Sequence, residues 1–160
     1  MNDDGYKTIF ESPIGHLIIT FDAHYVKKIE WQKQEESDVI RKKASRSSIA
    51  EQVSMKLEEY FMSIDTEWNL PLASVGTAFQ KKVWQYLQSI PRGETRYYSE
   101  VAKALNSSAQ AVGNACRTNP FVIVVPCHRV ISKQGIGGYD GETSGNNIKI
   151  KQWLLDHERY

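Results

Sequence analysis

The chain has 160 residues, of which 41% are apolar and 24% charged, and its formal net charge is +1. This composition is typical of a globular protein with one domain or two small ones. No apolar run approaches the about 20 residues of a membrane-spanning helix, so we expect no membrane partner. The N-terminus lacks the basic-then-apolar pattern of a signal peptide, which predicts a cytoplasmic protein.

The charge is divided unevenly along the chain. Residues 1–75 carry 9 basic and 13 acidic side chains, a net charge of −4, whereas residues 76–160 carry 11 and 6, a net charge of +5. This asymmetry is consistent with nucleic-acid contact by the second half alone. An accidental division explains the charges equally well, so the pattern is only an indication.

The first half predicts a small scaffold to which we assign no chemistry. Apolar and β-branched residues from Tyr6 to Gln32 are interrupted by two turn signals, which predicts three antiparallel strands. The polar stretch 33–48 is predicted to be a loop. Apolar residues four apart between Ile49 and Phe61 then predict one amphipathic helix.

The second half begins with a helix start, because Thr77 and Gln80 match a capping box in which each side chain pairs a free backbone N–H. Pro91 ends this helix. Two short helical patterns, 98–105 and 108–118, follow across a tight polar turn. They outline a helix-turn-helix, whose second helix can enter a DNA groove. This signal is weak by itself, since many helical domains contain such pairs.

Two features of the later helices need an explanation. Gly113 lies inside a predicted helix, where glycine costs about 1 kcal/mol relative to alanine. Close packing or the close approach of another molecule would explain that cost. The last helical pattern places Ile150, Trp153, Leu154 and His157 on one face.

An apolar run precedes one of the two cysteines. Val122 to Val125 lie between prolines, which predicts a short buried strand. Pro126 cannot donate a ladder hydrogen bond, so the strand should end there. Cys127 is therefore expected at a strand end, beside a cleft.

Cys127 is followed directly by His128 and Arg129. A thiol reacts as its thiolate, which neighbouring cationic groups favour. The alternative is a small buried apolar residue, the usual role of a free cysteine and the role we assign to Cys116. No CxxC pair and no Cys/His spacing of a zinc site occurs, so we expect neither a disulfide framework nor a metal site.

The adjacency of Cys127 and His128 constrains how they can cooperate. In an extended backbone, consecutive side chains point to opposite faces, so a direct hydrogen bond is awkward and an intervening water is easier. The imidazole also needs a carboxylate to orient it. Glu142, Asp156 and Glu158 all lie downstream, and spacing does not choose among them.

Several segments together resemble the O6-alkylguanine-DNA alkyltransferases. In order from Gly76 to Glu158 they are "GTAFQKKVW", "IPRGET", "YSEVA", "AVGNACRTNP", "VIVVPCHRVI" and "KQWLLDHE", and the first half adds "SPIGHLIIT". The Pro-Cys-His-Arg run alone is moderately specific. The whole series in one order is highly specific.

The resemblance implies repair of double-stranded DNA that contains O6-alkylguanine. The enzyme flips the damaged base out of the stack, at a cost of a few kcal/mol, and moves the alkyl group onto its own cysteine. Here Cys127 would be the acceptor, activated through water by His128, with Glu158 orienting the imidazole. The thioether has no carbonyl for water to attack, so each molecule should act once, as a monomer without cofactor. Whether O4-alkylthymine is also a substrate is left open.

The resemblance also implies the roles of the pocket residues. Tyr98 would rotate the nucleotide and donate a proton to the leaving guanine, and Asn119 would shape the active-site turn. The carbonyls of Cys127 and Val130 would accept hydrogen bonds from the guanine amino group, while Tyr139 would form a wall of the pocket.

The predicted DNA-binding residues include one departure from the family. The position before Ala-Val-Gly normally holds an arginine that fills the hole left by the flipped base, and here it is Gln110. The pocket position that some relatives fill with methionine is Cys116, and the zinc ligands of some relatives are not evident. The remaining DNA-binding residues are Ala111, Gly113 and Arg117.

We therefore predict an α/β protein of two domains. Residues 1–72 form an antiparallel three-stranded sheet with a helix, and residues 73–160 form a mainly helical, winged-helix-like DNA-binding domain that bears the thiol. Two other functions compete with alkyl transfer. A damage sensor would bind alkylated DNA without reacting, and a Cys-His hydrolase would turn over repeatedly without DNA.

Overall fold

The computed structural model describes residues 5–33, 48–139 and 145–159. The chain divides into two compact units, Met1–Ser74 and Val75–Tyr160. The predicted polar loop falls almost wholly on residues 34–47, which lie outside the described residues. None of the described helices is both long and apolar enough to cross a bilayer.

The first unit is a three-stranded antiparallel sheet with one helix, as predicted. Strands β1 (Tyr6–Ser12), β2 (Gly15–Phe21) and β3 (Val26–Trp31) pair in chain order. Helix α1 (Ser48–Phe61) buries the apolar stripe that its four-residue spacing predicts. Phe61, which we expected on that stripe, is only half-buried and stacks on Phe10 with ring centroids 5.9 Å apart.

The described residues of the second unit form four α-helices and one pair of two-residue strands. The helices are α2 (Ala78–Gln88), α3 (Tyr98–Ala104), α4 (Ala109–Arg117) and α5 (Asn146–Glu158). Strands β4 (Arg96–Tyr97) and β5 (Val130–Ile131) run parallel.

The capping box that starts α2 is confirmed. Gln80 N donates to Thr77 Oγ1 over 3.1 Å, and Thr77 N donates to Gln80 Oε1 over 2.7 Å. Buried Trp84 on the same helix donates its indole N–H to the carbonyl of Ala115 over 2.8 Å. This bond ties α4 to α2.

Helices α3 and α4 form the predicted helix-turn-helix. Asn106 turns the chain with φ of 55°, a left-handed conformation that asparagine tolerates better than most residues. Ser108 then caps α4 by accepting a hydrogen bond from Ala111 N over 3.1 Å. The turn and the cap together define where the second helix begins.

The predicted strand over Val122–Val125 is wrong. These residues are buried but form successive turns, with Val124 N bonded to Val122 O and Val125 N bonded to Phe121 O, both over 2.9 Å. Ile123 has φ of 71°, which a β-branched residue adopts only under strain. An apolar run predicts that a segment is buried. A completely buried segment can be either a strand or a series of packed turns.

The strand pair β4–β5 brings two distant segments together. Arg96 pairs with Val130 and Tyr97 with Ile131. The pairing places Tyr98, the next residue, near the segment that contains Cys127. No sequence pattern predicted it, because a two-residue strand has too little periodicity to detect.

The expected face of α5 is partly wrong. Ile150 and Leu154 are buried, but Trp153 and His157 are half-buried and stack on each other with ring centroids 4.7 Å apart. The buried face is rotated from the predicted one, and its remaining members are Lys151, Leu155 and Glu158. Hydrophobic patterning does not predict a lysine and a glutamate on the buried face of a helix.

Candidate active site

Cys127 begins a turn of 3-10 helix, Cys127–Arg129, and lines a cavity of about 570 Å³. Its side chain belongs to no disulfide, and the residue is 5% exposed. The helical turn replaces the extended backbone that we expected at Cys127 and His128, because the segment before it never forms a strand. The thiol nevertheless faces a cleft, as predicted.

Asn119 holds the turn before Cys127. Its Nδ2 donates to the carbonyl of Val125 over 2.8 Å and to the Cys127 Sγ over 3.2 Å, while its Oδ1 accepts from Phe121 N over 2.9 Å. One side chain thus satisfies backbone groups that have no strand ladder. A donor aimed at sulfur also favours the thiolate.

His128 is completely buried and contacts Glu158 at the end of α5. The distance from its Nε2 to the Glu158 Oε2 is 2.5 Å. Of the three carboxylates that spacing left open, the structure places Glu158 on the imidazole. Glu142 lies outside the described residues.

Arg129 binds the same carboxylate from the other side. Its Nε lies 2.8 Å from the Glu158 Oε1 and its Nη2 lies 3.1 Å from Oε2, a bidentate arrangement. Its Nη1 donates to the carbonyl of Ile90 over 2.6 Å. Arg129 therefore braces the turn and neutralises the buried glutamate.

The network sets the protonation of its members. Burial alone would raise the pKa of Glu158, but the charges and hydrogen bonds of His128 and Arg129 outweigh it and hold that pKa below its ordinary range. Burial lowers the pKa of His128 below 6.5, although Glu158 opposes the shift. Because an ionised carboxylate only accepts, neutral His128 carries its proton on Nε2.

That assignment leaves Nδ1 of His128 as the basic nitrogen. Nδ1 is buried and has no hydrogen-bond partner among the described residues. A buried imidazole with one nitrogen oriented by a carboxylate and the other carrying a lone pair can accept a proton from a nearby group.

Tyr98 lies on the cavity wall, against the segment that follows β5. Its hydroxyl donates to the carbonyl of Gly138 over 3.4 Å, and burial raises its pKa, so it remains a protonated donor at neutral pH. Gly137 has φ of 77°, and a Cβ there would lie 2.9 Å from the Tyr98 ring. Glycine at this position therefore lets the tyrosine pack against the backbone.

Tyr139 and Cys116 complete the wall. Tyr139 is buried and lines the cavity, as predicted. Half-buried Cys116 also lines it, so the structural role that we assigned from its alanine-rich neighbourhood is too narrow. Burial, and then the charge of Cys127, raise the pKa of Cys116, which keeps it a thiol.

Lys151 is a site residue that sequence patterning missed. It is 0% exposed, and its Nζ donates to the carbonyls of Val130 and Gly138 over 2.6 and 2.8 Å. Burial lowers its pKa from 10.5 to about 8. On a helical pattern a lysine marks the solvent face, so nothing in the sequence distinguished it.

Within the described ranges 5–33, 48–139 and 145–159, no cluster of three or more His, Cys, Asp or Glu side chains could hold a metal ion. The arrangement instead provides a thiol, a base with its orienting carboxylate, and hydroxyl and carbonyl groups around one cavity.

Residues 78–160 match the family model described as the 6-O-methylguanine DNA methyltransferase, DNA binding domain. The Methanosarcina acetivorans methylated-DNA–protein-cysteine methyltransferase is 38% identical, covering 96% of this chain and 97% of the relative. The chain belongs to the methylated-DNA–protein-cysteine methyltransferase family.

Solved structures agree with this membership. The crystal structure of the Mycobacterium tuberculosis O6-methylguanine methyltransferase is 32% identical, with a TM-score of 0.77 over 96% of this chain and 92% of the other. A second crystal structure of a Mycobacterium tuberculosis protein, in complex with DNA, is 33% identical, with a TM-score of 0.74 over 94% and 91%. The predicted α/β fold is confirmed.

The predicted DNA-binding residues lie on α4. Gln110 and Arg117 are exposed, and both line the cavity with Gly113. Arg117 donates to Asn114 Oδ1 over 3.1 Å. Ala111 is half-buried and outside the cavity wall. The roles of these residues on DNA stay predictions.

The structure bears on one of the two explanations for Gly113. A Cβ built there meets no described atom within 4 Å, so packing against the described residues does not require glycine. The close approach of another molecule to α4 stays a prediction.

We expect Gly113→Ala to stabilise the free protein by up to about 1 kcal/mol, because alanine is the better helix former and meets no clash. The same variant should bind duplex DNA more weakly than the parent does. Urea unfolding and fluorescence anisotropy on one DNA duplex measure the two effects. Unchanged affinity, or a loss of stability, would contradict this account of the glycine.

The protonation of His128 is open to direct observation. Long-range ¹H–¹⁵N NMR spectra at pH 7 should show Nε2 protonated, Nδ1 unprotonated, and a titration midpoint below 6.5. Because the unfolded chain takes up this proton at higher pH, the stability contributed by neutral His128 is present above pH 6.5. It is lost as pH falls toward the folded pKa. An Nδ1–H tautomer would refute the assignment.

Proposed function

We propose that this chain repairs O6-alkylguanine in double-stranded DNA by moving the alkyl group to the Sγ of Cys127, once per molecule and as a monomer. The observation that carries the proposal is the thiol at the cavity wall, with Asn119 donating to its sulfur and with His128, which Glu158 of α5 orients, on the same turn. Membership in the methyltransferase family supports the same chemistry.

The transfer is a displacement at carbon. The Cys127 thiol loses its proton to Nδ1 of His128, through a bridging water, and the sulfur attacks the alkyl carbon. An S–C bond forms as the C–O6 bond breaks, and the electron pair of that bond leaves with guanine. The proposed role of the Tyr98 hydroxyl, which its raised pKa keeps protonated before the reaction, is to donate a proton to the departing guanine, and the proton that His128 took from the thiol then returns through water to restore the hydroxyl.

The reaction needs the base outside the duplex, because Cys127 lies in a cavity that residues of α4 help to line. Flipping costs a few kcal/mol, and least for a poorly paired, damaged base. Gln110 is exposed at the mouth of the cavity, where an amide can hydrogen-bond the orphaned cytosine. The carbonyls of Cys127 and Val130 are proposed to accept from the guanine 2-amino group, with Tyr139 against the ring.

The two cysteines of the cavity provide a matched test. The parent, Cys127→Ser and Cys116→Ser are each mixed with excess duplex containing O6-methylguanine, and intact mass and peptide maps are recorded. We expect one methyl group on the Cys127 peptide of the parent and of Cys116→Ser, saturating at one per molecule. Cys127→Ser should stay unmodified.

Other results would replace the proposal. A parent that binds the duplex and gains no methyl group would be a damage sensor. One that hydrolyses thiol-reactive esters repeatedly and ignores DNA would be a Cys-His hydrolase. Methylation of Cys116 in the parent would overturn the assignment of the acceptor.

Gln110 predicts a further property. Gln110→Arg should bind duplex DNA more tightly and repair it faster, because guanidinium adds a charge and a stacking plane that an amide lacks. The affinity of the variant should also fall more steeply with salt. The slope of log affinity against log salt concentration should steepen by about the contribution of one phosphate contact. Affinity across a salt series and single-turnover rates measure this. Equal affinity and equal rate in the parent and in Gln110→Arg would contradict this prediction. Gln110→Lys adds the charge without the stacking plane and so separates the two effects.

A further inference from the structure

Both cysteines of the chain lie on the wall of one cavity. Cys116 lies on the last turn of α4 and is half-buried, whereas Cys127 begins the 3-10 turn and is buried. The proposed transfer uses only the sulfur of Cys127. The second thiol of the cavity therefore needs an explanation of its own, because any small side chain could form the same part of the wall.

Asn119 connects the two cysteines. Its backbone N–H donates to the carbonyl of Cys116 over 3.2 Å, and its Nδ2 donates to the Cys127 sulfur over 3.2 Å. Burial raises the pKa of the Cys116 thiol, and the charge of Cys127 raises that pKa further. A charge has this effect on groups close to it. The two thiols are therefore neighbours within the cavity.

The two thiols differ in how readily an oxidant attacks them. Oxidation follows thiolate character. The Asn119 donor at the Cys127 sulfur favours the thiolate there, whereas Cys116 stays a protonated thiol. The cavity has a volume of about 570 Å³, far above the about 30 Å³ that one water occupies in the liquid. A hydroperoxide can therefore enter it and react first with Cys127.

Oxidation of Cys127 by itself ends in an irreversible product. The sulfur attacks one oxygen of the hydroperoxide, an S–O bond forms as the O–O bond breaks, and a sulfenic acid and an alcohol result (water, when the oxidant is hydrogen peroxide). A second hydroperoxide converts the sulfenic acid to a sulfinic acid, which thiols do not reduce. A protein that reacts through one thiol would then be lost before it met its substrate.

A neighbouring thiol diverts this course. The Cys116 sulfur can attack the sulfenic sulfur of Cys127, so that an S–S bond forms and the S–O bond breaks. The hydroxide that leaves takes the proton of the Cys116 thiol and becomes water. Since the sulfenic acid is neutral, the charge of Cys127 that helps to raise the pKa of Cys116 has by then disappeared. The second step thus becomes easier once the first has occurred.

We propose that Cys116 is a resolving cysteine, which captures hydroperoxide-oxidised Cys127 as an intramolecular disulfide and so protects the acceptor from irreversible oxidation. A small thiol reverses the modification by exchange, which restores both cysteines and leaves the oxidised thiol as its own disulfide. A disulfide forms only where two α-carbons come within about 7 Å. Its formation is measured on the thiols themselves and does not require that the protein transfer alkyl groups.

The test oxidises the folded protein and locates the products. The parent, Cys116→Ser and Cys127→Ser are treated with hydrogen peroxide. Half of each sample is then reduced with dithiothreitol, the remaining thiols of both halves are blocked with N-ethylmaleimide, and intact masses and tryptic maps are recorded. Trypsin cleaves after Arg117 and so places the two cysteines in different peptides. Thermal melting checks that each protein is folded, and Cys116→Ala replaces a serine variant that is not.

We expect the oxidised parent to lose the mass of two hydrogens and to yield the linked pair of peptides, and reduction should restore both thiols. Cys116→Ser should instead gain two oxygens on the Cys127 peptide, a sulfinic acid that reduction leaves unchanged. Cys127→Ser should keep Cys116 as a thiol under the same treatment. Transfer from O6-methylguanine is compared between each oxidised protein and its own untreated sample. It should return on reduction in the parent and stay lost in Cys116→Ser.

Three results would overturn the resolving role. They are a parent that forms the sulfinic acid of Cys127 as fast as Cys116→Ser does, a parent that stays unmodified, and a disulfide between two molecules in place of the internal one. A parent that forms and releases the internal disulfide, yet transfers no alkyl group when reduced, would support the resolving role and refute the proposed function.

Discussion

The site depends on one buried carboxylate. Glu158, the last residue of α5, receives His128 and Arg129 on its two oxygens, and all three residues are buried. Removing one partner of a buried ion pair costs about 3–5 kcal/mol, because the other charge is left uncompensated. The same contacts select the tautomer of His128 and attach the turn bearing Cys127 to the last helix. Stability and chemistry therefore rest on the same atoms.

The turn itself is a strained structure that its neighbours hold in place. Among the residues that the structure describes, no strand pairs with Val122–Val125, and Ile123 adopts a left-handed conformation. Asn119 hydrogen-bonds backbone groups of Phe121 and Val125 that a strand ladder would otherwise have paired, and its amide also donates to the Cys127 sulfur. Strained backbone of this kind persists only where surrounding contacts over-determine it, as they do at this thiol.

The cavity distinguishes its two thiols by their surroundings. Cys116 lies on α4, and burial raises its pKa, so it remains a neutral wall group. Cys127 receives a hydrogen bond from Asn119 and precedes the only fully buried histidine of the described residues. Exposure alone would favour Cys116, since Cys127 is the more buried of the two. The proposed reactivity of Cys127 instead rests on the Asn119 donor at its sulfur and on the neighbouring His128 rather than on access to solvent.

The sequence by itself determined the local elements (the three strands, the capping box of α2 and the helix pair) and, through ordered motifs, the family. Periodicity and capping are local signals, so they survive without a structure. Only the tertiary structure decided the rest: which carboxylate meets His128, that Val122–Val125 turns instead of pairing, and that Lys151 is buried. Those outcomes depend on packing in a folded interior, where burial and pairing override the preference of any single segment.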